Sequence, residues 1–480
     1  MLDPADWEAF RAAAHRALDD AVDYLRDVRE RPAWQPVPDS VKKELTEPLP
    51  AEGAAFTSVY AQFVRDILPY ATGNIHPRFW GWVHGSGTPG GAVAELLAAT
   101  MNANVGGRDH AAVYVERQVI AWFRNLFGFP GPDGGVLLTG TSTANLVALL
   151  AARTRALGPE VRKRGVYANG ERLCAYASSA THACVKKAFE MAGLGSDTLR
   201  VLPADARQKL DPQLLRAAIE SDAARGLRPF FVVGNAGSVD AGAVDDLAAV
   251  ARTASEFDLW FHVDGAFGAA ACLSPRLQRK FEGIERADSI AFDFHKWLHA
   301  PYDAGCILIR DPEIERATFA GGGPYFTRMP RGTGAGEPWF ADYGPDLSRG
   351  FRALKIWFTI KEHGARGLAA AIERNCDQAR KLHAQLAADP DFEALLEPEL
   401  QIVCFRPRRG SLEPAQIDRL VDQSVMSLQE SGAAVISTTT IAGQRAMRLC
   451  ITNHRTVDAD LEEALEALRA IVRDGRAALT

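Results

Sequence analysis

Two ionisable residues stand at the ends of apolar stretches. Asp264 follows Leu-Trp-Phe-His-Val at 259–263, and Lys296 belongs to Asp-Phe-His-Lys-Trp at 293–297, after a second apolar run. Burying a carboxylate or an ammonium group is costly unless an opposite charge or a task accompanies it. A lysine can hold an aldehyde as an imine, and a carboxylate can keep a pyridine nitrogen protonated. The pair therefore indicates chemistry of the pyridoxal-5′-phosphate (PLP) type.

Each of these residues has a structural explanation when taken alone. A single aspartate such as Asp264 is more often a helix cap, and the triplet His295-Lys296-Trp297 is more often a solvated strand end. Their separation by thirty-two residues, with a β run between them, favours the cofactor interpretation. Burial and a nearby cationic ring are then expected to lower the pKa of Lys296 and make its amine nucleophilic.

A third requirement of PLP chemistry is a phosphate site. The segment Thr-Gly-Thr-Ser-Thr-Ala-Asn at 139–145 stands between a short β run and a strongly helical one. Such a turn offers backbone N–H groups and the hydroxyls of Thr141 and Ser142 at a helix N-terminus, where anions bind. Ordinary N-capping explains the turn equally well. His182 follows another β run and could stack on a cofactor ring, although a lone histidine is more often structural.

The hydrophobic pattern predicts the elements that position these residues. Between about 90 and 330, short β runs alternate with helical segments, which predicts a mostly parallel sheet with helices on both faces. The predicted strands are 136–139, 173–178, 199–202, 230–233, 259–263, 289–292 and 306–309. Ligands bind at the carboxyl ends of strands in such sheets. The polar residues that follow these runs are Thr141, Ser142, His182, Ser238, Asp264, His295 and Lys296.

The two ends of the chain have different patterns. From Asp3-Pro4 onward, apolar residues at helical spacing predict an amphipathic helix, which packs on its own chain or on another subunit. After a glycine-rich stretch at 321–336, a helix is predicted at 349–386. The tail predicts strand, helix, two strands and helix at 401–405, 414–430, 433–441, 445–452 and 458–473. We predict three parts: a helical arm (1–85), a large domain (86–375) and a small α+β domain (376–480).

Composition and charge argue against several classes of protein. The 480 residues are 47% hydrophobic, with a net charge of −6 and a pI near 6.0. Nucleic-acid binders usually have a basic face, and no apolar run approaches the ~18 residues of a membrane span. The acidic start is unlike a signal peptide. We expect no nucleic-acid or membrane partner and a cytoplasmic location. The seven scattered cysteines indicate neither disulfides nor a metal site.

The combined motifs resemble the group II PLP-dependent decarboxylases, a fold-type I family that includes aromatic-L-amino-acid, histidine, glutamate and diaminobutyrate decarboxylases. The resemblance runs from end to end. It rests on His-Pro-Arg-Phe (76–79), Thr-Gly-Thr-Ser-Thr-Ala-Asn-Leu (139–146), Thr181-His182, His262-Val-Asp264, Asp-Phe-His-Lys-Trp (293–297) and Phe-Arg-Ala-Leu-Lys-Ile-Trp (351–357). The last two segments are highly specific in combination.

The resemblance implies an α/β fold of the PLP-dependent transferase type, with a mostly parallel seven-stranded sheet, an N-terminal helical arm and a small C-terminal domain. It also implies a homodimer whose N-terminal helices cross the interface and whose active sites use both subunits. Lys296 is expected to form the internal aldimine, Asp264 to pair with the ring nitrogen and His182 to stack on the ring. The residues expected around the phosphate and the cofactor oxygen are Thr141, Ser142, Asp293, His295 and Ser238.

The glycine-rich stretch corresponds to the mobile catalytic loop of the family. The resemblance makes Tyr325 the candidate proton donor to the product carbanion. If Phe326 takes that position instead, the family precedent is oxidative formation of an aldehyde. His182 is the alternative acid.

Departures from the family pattern leave the substrate open. Trp82 and His84 lie in a segment that differs from the aromatic-amino-acid enzymes, and Arg108 lies where the family usually has Ser-Pro. These three side chains either recognise the substrate or simply pack. Trp82 and Tyr325 favour an aromatic substrate, whereas Arg108 or His84 could bind an acidic one.

The predicted activity is decarboxylation of an L-amino acid to its amine and carbon dioxide by a PLP-dependent carboxy-lyase. Two rival reactions use the same scaffold, namely oxidative aldehyde formation and transamination. A rival of another class is a non-catalytic regulatory homologue. The presence of Lys296, Asp264 and His182 together weighs against that rival.

Overall fold

The computed structural model describes residues 2–168, 170–323 and 326–479. The α-helices are α1 (Trp7–Arg26), α2 (Asp39–Glu44), α3 (Phe56–Gln62), α4 (Pro89–Met101), α5 (Ala111–Leu126), α6 (Thr141–Leu157), α7 (Val161–Arg164), α8 (Ala183–Met191), α9 (Pro212–Ala224), α10 (Leu247–Glu256), α11 (Pro312–Phe319), α12 (Ala353–Ala388), α13 (Pro414–Glu430) and α14 (Asp458–Leu479). The strands are β1 (Val136–Leu138), β2 (Leu173–Ser178), β3 (Leu199–Leu202), β4 (Arg228–Asn235), β5 (Trp260–Asp264), β6 (Ser289–Asp293), β7 (Gly305–Ile309), β8 (Phe392–Ala394), β9 (Ile402–Pro407), β10 (Ser437–Ile441) and β11 (Gln444–Cys450).

The first helix begins later than its sequence pattern predicts. The N-cap is Asp6, whose carboxylate accepts hydrogen bonds from the backbone N–H groups of Glu8 and Ala9. The predicted start at Asp3-Pro4 is therefore wrong. The reason is local, because an aspartate that reaches two free N–H groups of the first turn is a strong N-cap wherever it stands.

The large sheet has seven strands in the order β1-β7-β6-β5-β4-β2-β3. Strand β7 is antiparallel to both its neighbours, and the remaining neighbours are parallel. The predicted mostly parallel sheet is confirmed, with strand bounds within two residues of the prediction. Strands such as β2, β5 and β6 are buried along their whole length, as expected where helices cover both faces of a parallel sheet.

The strand register brings the candidate residues to one edge of this sheet. Asn235 at the end of β4 pairs with Asp264 at the end of β5, and Asp293 at the end of β6 pairs with Gly305 at the start of β7. A Cβ atom on Gly305 would lie 2.4 Å from the Cα of Gly140, in the turn before α6. Only glycine therefore lets that turn lie against β7.

The C-terminal part forms a second sheet in the order β10-β11-β9-β8. The predicted helices at 414–430 and from 458 are present, and the strand predicted at 433–441 begins at Ser437. The helix predicted at 349–386 begins at Ala353, and its path breaks at Gly364, where φ is +65°. Strand β8 was not predicted from the sequence.

The described residues group into two compact units. One contains the residues up to His84, Ala384–Leu395 and the residues from Cys404 onward, and the other contains Gly85–His383 and Leu396–Val403. The division at 85 and 375 into three functional parts stays a prediction. In the portion of the chain described above, no helix combines the length and apolar character needed to span a membrane.

Candidate functional site

Lys296 lies just beyond β6 and is paired with a carboxylate. Its Nζ atom is 2.9 Å from Oδ2 of Asp293, and its side chain is 20% exposed. Burial would lower the pKa of Lys296, but the charge and the hydrogen bond of Asp293, with a contribution from Asp264, outweigh burial and raise that pKa. The lowered pKa expected from burial is therefore wrong for the lysine as Asp293 holds it.

Asp293 also closes the start of α6. Its Oδ1 atom accepts a hydrogen bond of 2.7 Å from the backbone N–H of Thr141, the first residue of that helix. A carboxylate at a helix N-terminus is stabilised by the free N–H groups and by the helix dipole. Asp293 thus connects the lysine to the helix that carries the predicted phosphate turn.

His295 is buried beside this ion pair in a defined tautomer. Its Nδ1 atom accepts a hydrogen bond of 3.0 Å from the N–H of Ala304, so the neutral ring carries its proton on Nε2. The Nε2 atom lies 3.6 Å from Oδ2 of Asp293, and the ring packs on Tyr302 with a centroid distance of 4.2 Å. Burial lowers the pKa of His295. The Nε2–H group is therefore a neutral hydrogen-bond donor.

The first turn of α6 presents two hydroxyl groups. The Oγ1 atom of Thr141 is buried and has no hydrogen-bond partner among the described residues. Ser142 is exposed, and its hydroxyl group opposes the rise that burial causes in the pKa of the Cys184 thiol. A buried hydroxyl without a partner is unusual in a folded protein and needs an explanation such as a missing ligand.

Asp264 ends β5 as a buried carboxylate. Its Oδ2 atom accepts a hydrogen bond of 3.0 Å from Nδ2 of Asn145, and its Oδ1 atom accepts one of 3.2 Å from the N–H of Ala266. Burial raises the pKa of Asp264, while the Asn145 hydrogen bond and the charge of Lys296 oppose that shift. This carboxylate is held by neutral donors rather than by a direct ion pair.

His182 and Ser238 follow β2 and β4, as predicted. His182 is exposed and forms the N-cap of α8, where its Nδ1 atom accepts a hydrogen bond of 3.2 Å from the N–H of Cys184. Ser238 is buried in a turn, and its Oγ atom accepts a hydrogen bond of 3.2 Å from the N–H of Ala243. Both belong to the same compact unit as Lys296.

The predicted substrate-binding residues are divided between the two units. The rings of Trp82 and His84 cluster with Phe79 in the unit that contains the N-terminal residues, with centroid distances of 5.5–6.2 Å. In the other unit, the guanidinium group of Arg108 lies 4.6 Å from the centre of the Trp339 ring. The contacts found for Arg108 are thus with aromatic rings. Tyr325, the candidate proton donor, lies outside the described residues.

Comparison with known proteins supplies the family. A model of the pyridoxal-dependent decarboxylase conserved domain matches residues 38–408. The chain belongs to the pyridoxal-dependent decarboxylase family. The aromatic-L-amino-acid decarboxylase of Bacillus atrophaeus is 30% identical to it over 473 residues, which cover 97% of this chain and 96% of that protein.

Solved structures agree with this membership. The crystal structure of Oryza sativa TDC with PLP and tryptamine matches with a TM-score of 0.89 at 27% identity, covering 99% of each chain. Rhodiola rosea 4-hydroxyphenylacetaldehyde synthase matches with a TM-score of 0.87 at 26% identity, covering 98% of this chain and 99% of that one. The predicted fold type, the PLP cofactor and the class of amino-acid carboxy-lyase are confirmed.

The residues of this decarboxylase fit the cofactor. A pyridinium ring requires a carboxylate partner, and Asp264 is buried with no ion pair at hydrogen-bond distance in the described residues. A phosphate group requires donors, and the unpartnered Thr141 hydroxyl lies at a helix N-terminus. An aldehyde requires an amine, and Lys296 is the lysine at the same sheet edge.

Sequence reasoning gave no role to several residues of this decarboxylase site. Asn145 holds Asp264, and His262 holds Asn145. The spacing of these residues in the sequence could have indicated both contacts. Asn145 follows Thr141 by one helical turn, and His262 and Asp264 alternate along β5, so each pair shares a face.

Proposed function

We propose that this enzyme decarboxylates an L-aromatic amino acid to the corresponding amine, with Lys296 as the residue that holds PLP. The observation that carries the proposal is the placement of Lys296, which is half-buried, and Asp264, which is buried, at one sheet edge, each held in a defined hydrogen-bond arrangement. The aromatic class is supported by the names of the Bacillus and Oryza relatives.

Different residues of the site are proposed to bind different parts of the cofactor. PLP, when bound, supplies an electron sink for the electron pair left by the departing carboxylate. Asp264 is the partner for the ring nitrogen, and His182 is the residue proposed to cover the ring face. Ser238 is the proposed partner of the cofactor oxygen.

The phosphate donors are the hydroxyls of Thr141 and Ser142 and the Nε2–H group of His295. The oxygens of Asp293 accept from the Thr141 N–H and the Lys296 amine, so its proposed place near the phosphate depends on the donors that it orients. It holds the Thr141 N–H at 2.7 Å and the Lys296 amine at 2.9 Å. By keeping a proton on that amine, Asp293 makes Lys296 a proton carrier as well as an anchor. Tyr325 and His182 remain the proposed acids for the product carbon.

We include a homodimer with shared active sites in this proposal. Large apolar side chains are exposed on helices of both units, and patches of this kind mark protein interfaces. These side chains are Trp7, Leu18 and Val22 on α1, Phe56 and Val59 on α3, and Val93, Leu96, Leu97 and Met101 on α4. A mass near 104 kDa, twice the 52.0 kDa of one chain, in light scattering would support the dimer, and a monomer would contradict it. The free thiols of the seven cysteines support a cytoplasmic location.

The test is a spectrum and a product balance. The purified enzyme is incubated with each of the twenty amino acids while carbon dioxide, amine and dioxygen are followed. We expect a visible cofactor band and equal amounts of carbon dioxide and amine from an aromatic substrate. Lys296→Ala is expected to lose the band and to lower turnover by on the order of 10³-fold or more.

A matched control is Lys209→Ala. The Lys209 side chain is 24% exposed and is ion-paired with Glu399, so it resembles Lys296 in exposure and pairing but follows β3 rather than β6. Loss of the band in both variants would contradict the assignment of Lys296. Dioxygen consumed in step with carbon dioxide, with an aldehyde as product, would replace decarboxylation by the reaction of the Rhodiola relative. Carbon dioxide from a non-aromatic substrate alone would contradict the substrate class.

A further inference from the structure

We infer that four side chains behind Asp264 form a one-way series of hydrogen-bond donors, which fixes where the protons lie and holds that carboxylate as a hydrogen-bond acceptor. This donor chain consists of Trp260, Ser289, His262 and Asn145. These are positioning residues, since they act on the cofactor through Asp264. The inference rests on the proposed pairing of Asp264 with the ring nitrogen.

The first link sets the direction. The Nε1 atom of Trp260 lies 2.7 Å from Oγ of Ser289, and an indole N–H can only donate. Ser289 Oγ therefore accepts this bond, and its own hydrogen is free for the Nδ1 atom of His262 at 2.8 Å. Strand register makes this contact possible, because His262 in β5 pairs directly with Ser289 in β6.

The second link fixes the tautomer of His262. The Nε2 atom is 2.9 Å from Oδ1 of Asn145, and an amide oxygen can only accept. The proton of the neutral ring therefore lies on Nε2, and Nδ1 accepts from the Ser289 hydroxyl. The residue is fully buried, and burial lowers the pKa of His262 to about 3. The ring is therefore neutral at ordinary pH and donates in one direction.

The third link fixes the amide orientation of Asn145. Its Oδ1 atom accepts from His262, so its Nδ2 atom faces Oδ2 of Asp264 at 3.0 Å and Sγ of Cys184 at 3.3 Å. A flipped amide would bring its oxygen against the carboxylate and its NH₂ group against the His262 N–H. Both contacts would be repulsive, so the carboxylate at one end of the chain and the indole donor at the other favour the same amide orientation.

The donor chain favours the ionised form of Asp264. Burial alone would favour the neutral acid, which would donate a hydrogen bond where the cofactor needs an acceptor. The charged or titratable groups that face this carboxylate are Lys296, His182 and the Cys184 thiol, whose pKa burial raises to about 12. A neutral amide donor steadies the carboxylate without supplying a cation that would compete with a pyridinium.

The first test uses the wild-type apoprotein and needs no catalysis. The ¹⁵N shifts of labelled histidine report which ring nitrogen carries the proton, and the His262 signal is assigned by its loss in His262→Gln. We expect the neutral Nε2–H form between pH 6 and 9. A protonated Nδ1, an imidazolium or a mixture of tautomers would overturn the inference.

The second test breaks the chain at Ser289. In Ser289→Ala the indole no longer directs the histidine, so we expect mixed His262 tautomers and roughly tenfold weaker PLP binding. The pH midpoint of the visible cofactor band is also expected to shift. Ser289→Thr keeps the hydroxyl and should restore all three properties. Trp260→Phe removes the donor that sets the direction, and a smaller, two- to threefold change is expected.

The matched control is Tyr176→Phe, which removes a buried hydroxyl from β2 of the same sheet, outside the donor chain. Its PLP affinity and tautomer signal should equal those of the wild type. A folded Ser289→Ala that keeps the wild-type tautomer and PLP affinity would contradict the donor chain. If the tautomer is as inferred but Asp264→Asn leaves PLP affinity unchanged, the proposed Asp264 pairing is wrong, and the role of the chain is wrong with it.

Discussion

Two carboxylates at the same sheet edge have opposite environments. Asp293, at the end of β6, has a cation beside it, with Lys296 Nζ at 2.9 Å. Asp264, at the end of the neighbouring strand β5, receives hydrogen bonds from the neutral groups of Asn145 and Ala266. In an ion pair, the cation already balances the negative charge of the carboxylate. A buried carboxylate with only neutral donors can still bind a cation from a ligand. The difference supports the roles proposed above, in which Asp293 pairs with Lys296 and Asp264 pairs with a cation of the ligand.

The largest effect should come from neutralising the two carboxylates separately. Asp264→Asn is expected to lower kcat/KM by about 10²–10³-fold, because an amide cannot stabilise a pyridinium charge. Asp293→Asn removes the main group that raises the pKa of Lys296. The amine should then lose its proton more easily, so the apoenzyme should bind PLP covalently at lower pH than the wild type. The measurements are kcat/KM and the pH midpoint for the appearance of the visible band.

The two carboxylates do not have different roles if these two variants behave alike. Equal losses of kcat/KM with no change in the pH midpoint of Asp293→Asn would show that the two carboxylates have the same role. Thermal unfolding of both apoproteins serves as the control, since a variant that no longer folds reports nothing about charge.

A third carboxylate tests the effect of neutral donors alone, because no ligand is proposed for it. Asp245 is buried and accepts hydrogen bonds from the backbone N–H groups of Leu210 and Asn235, and from Nδ2 of Asn235. Burial raises the pKa of Asp245 to about 6, from an ordinary value of 3.8. The folded state therefore holds this proton more tightly than the unfolded state, and the contribution of Asp245 to stability falls as the pH rises from about 4 to 6.

The expected size follows from a shift of about two pKa units, or about 3 kcal/mol. The variant Asp245→Asn cannot titrate at this position, so the free energy of unfolding of the wild type minus that of the variant should decrease by up to this amount between pH 4 and 7. Denaturant unfolding of both apoproteins at several pH values measures it. A difference that stays constant with pH would show that neutral donors suffice to keep a buried carboxylate ionised without cost.

The sequence predicted the sheet well because most of its strands are buried on both faces. Near-continuous apolar runs such as 173–178 and 289–292 therefore marked them to within two residues. The helix predicted from Arg349 begins at Ala353 instead, since the Arg349 backbone and side chain bond Asn104, Val105 and Leu137. Strand β8 has only three residues and no alternation to detect.

The site was predicted as a set of single residues rather than as a network. Lys296 and Asp264 were found because charges at the ends of apolar runs are costly. The Lys296–Asp293 pair reversed the expected pKa shift, because a partner three residues away depends on how the turn after β6 closes. The residues of the donor chain behind Asp264 come from α6, β5 and β6, and the register of β5 and β6 brings His262 beside Ser289.

The smallest effect is expected in the proposed phosphate site, where the side chain that is changed is a neutral hydroxyl rather than a carboxylate. The Thr141 hydroxyl is buried without a partner among the described residues. Thr141→Val keeps the shape and the N–H that Asp293 accepts, so the apoprotein should unfold at the wild-type temperature or slightly above it. PLP binding should weaken by roughly tenfold, since one hydrogen bond to a charged group is lost.

Ser142→Ala is the matched variant, because its hydroxyl lies one residue further along α6 and is exposed. The two variants are compared by PLP titration of the apoprotein. A Thr141→Val protein that binds PLP as tightly as the wild type but unfolds at lower temperature would show that the buried hydroxyl serves the fold. The opposite result, unchanged stability with weaker binding, would support a phosphate site at the N-terminus of α6. Asp293, which pairs with Lys296, would then also contribute to phosphate binding, because it holds the backbone N–H of Thr141.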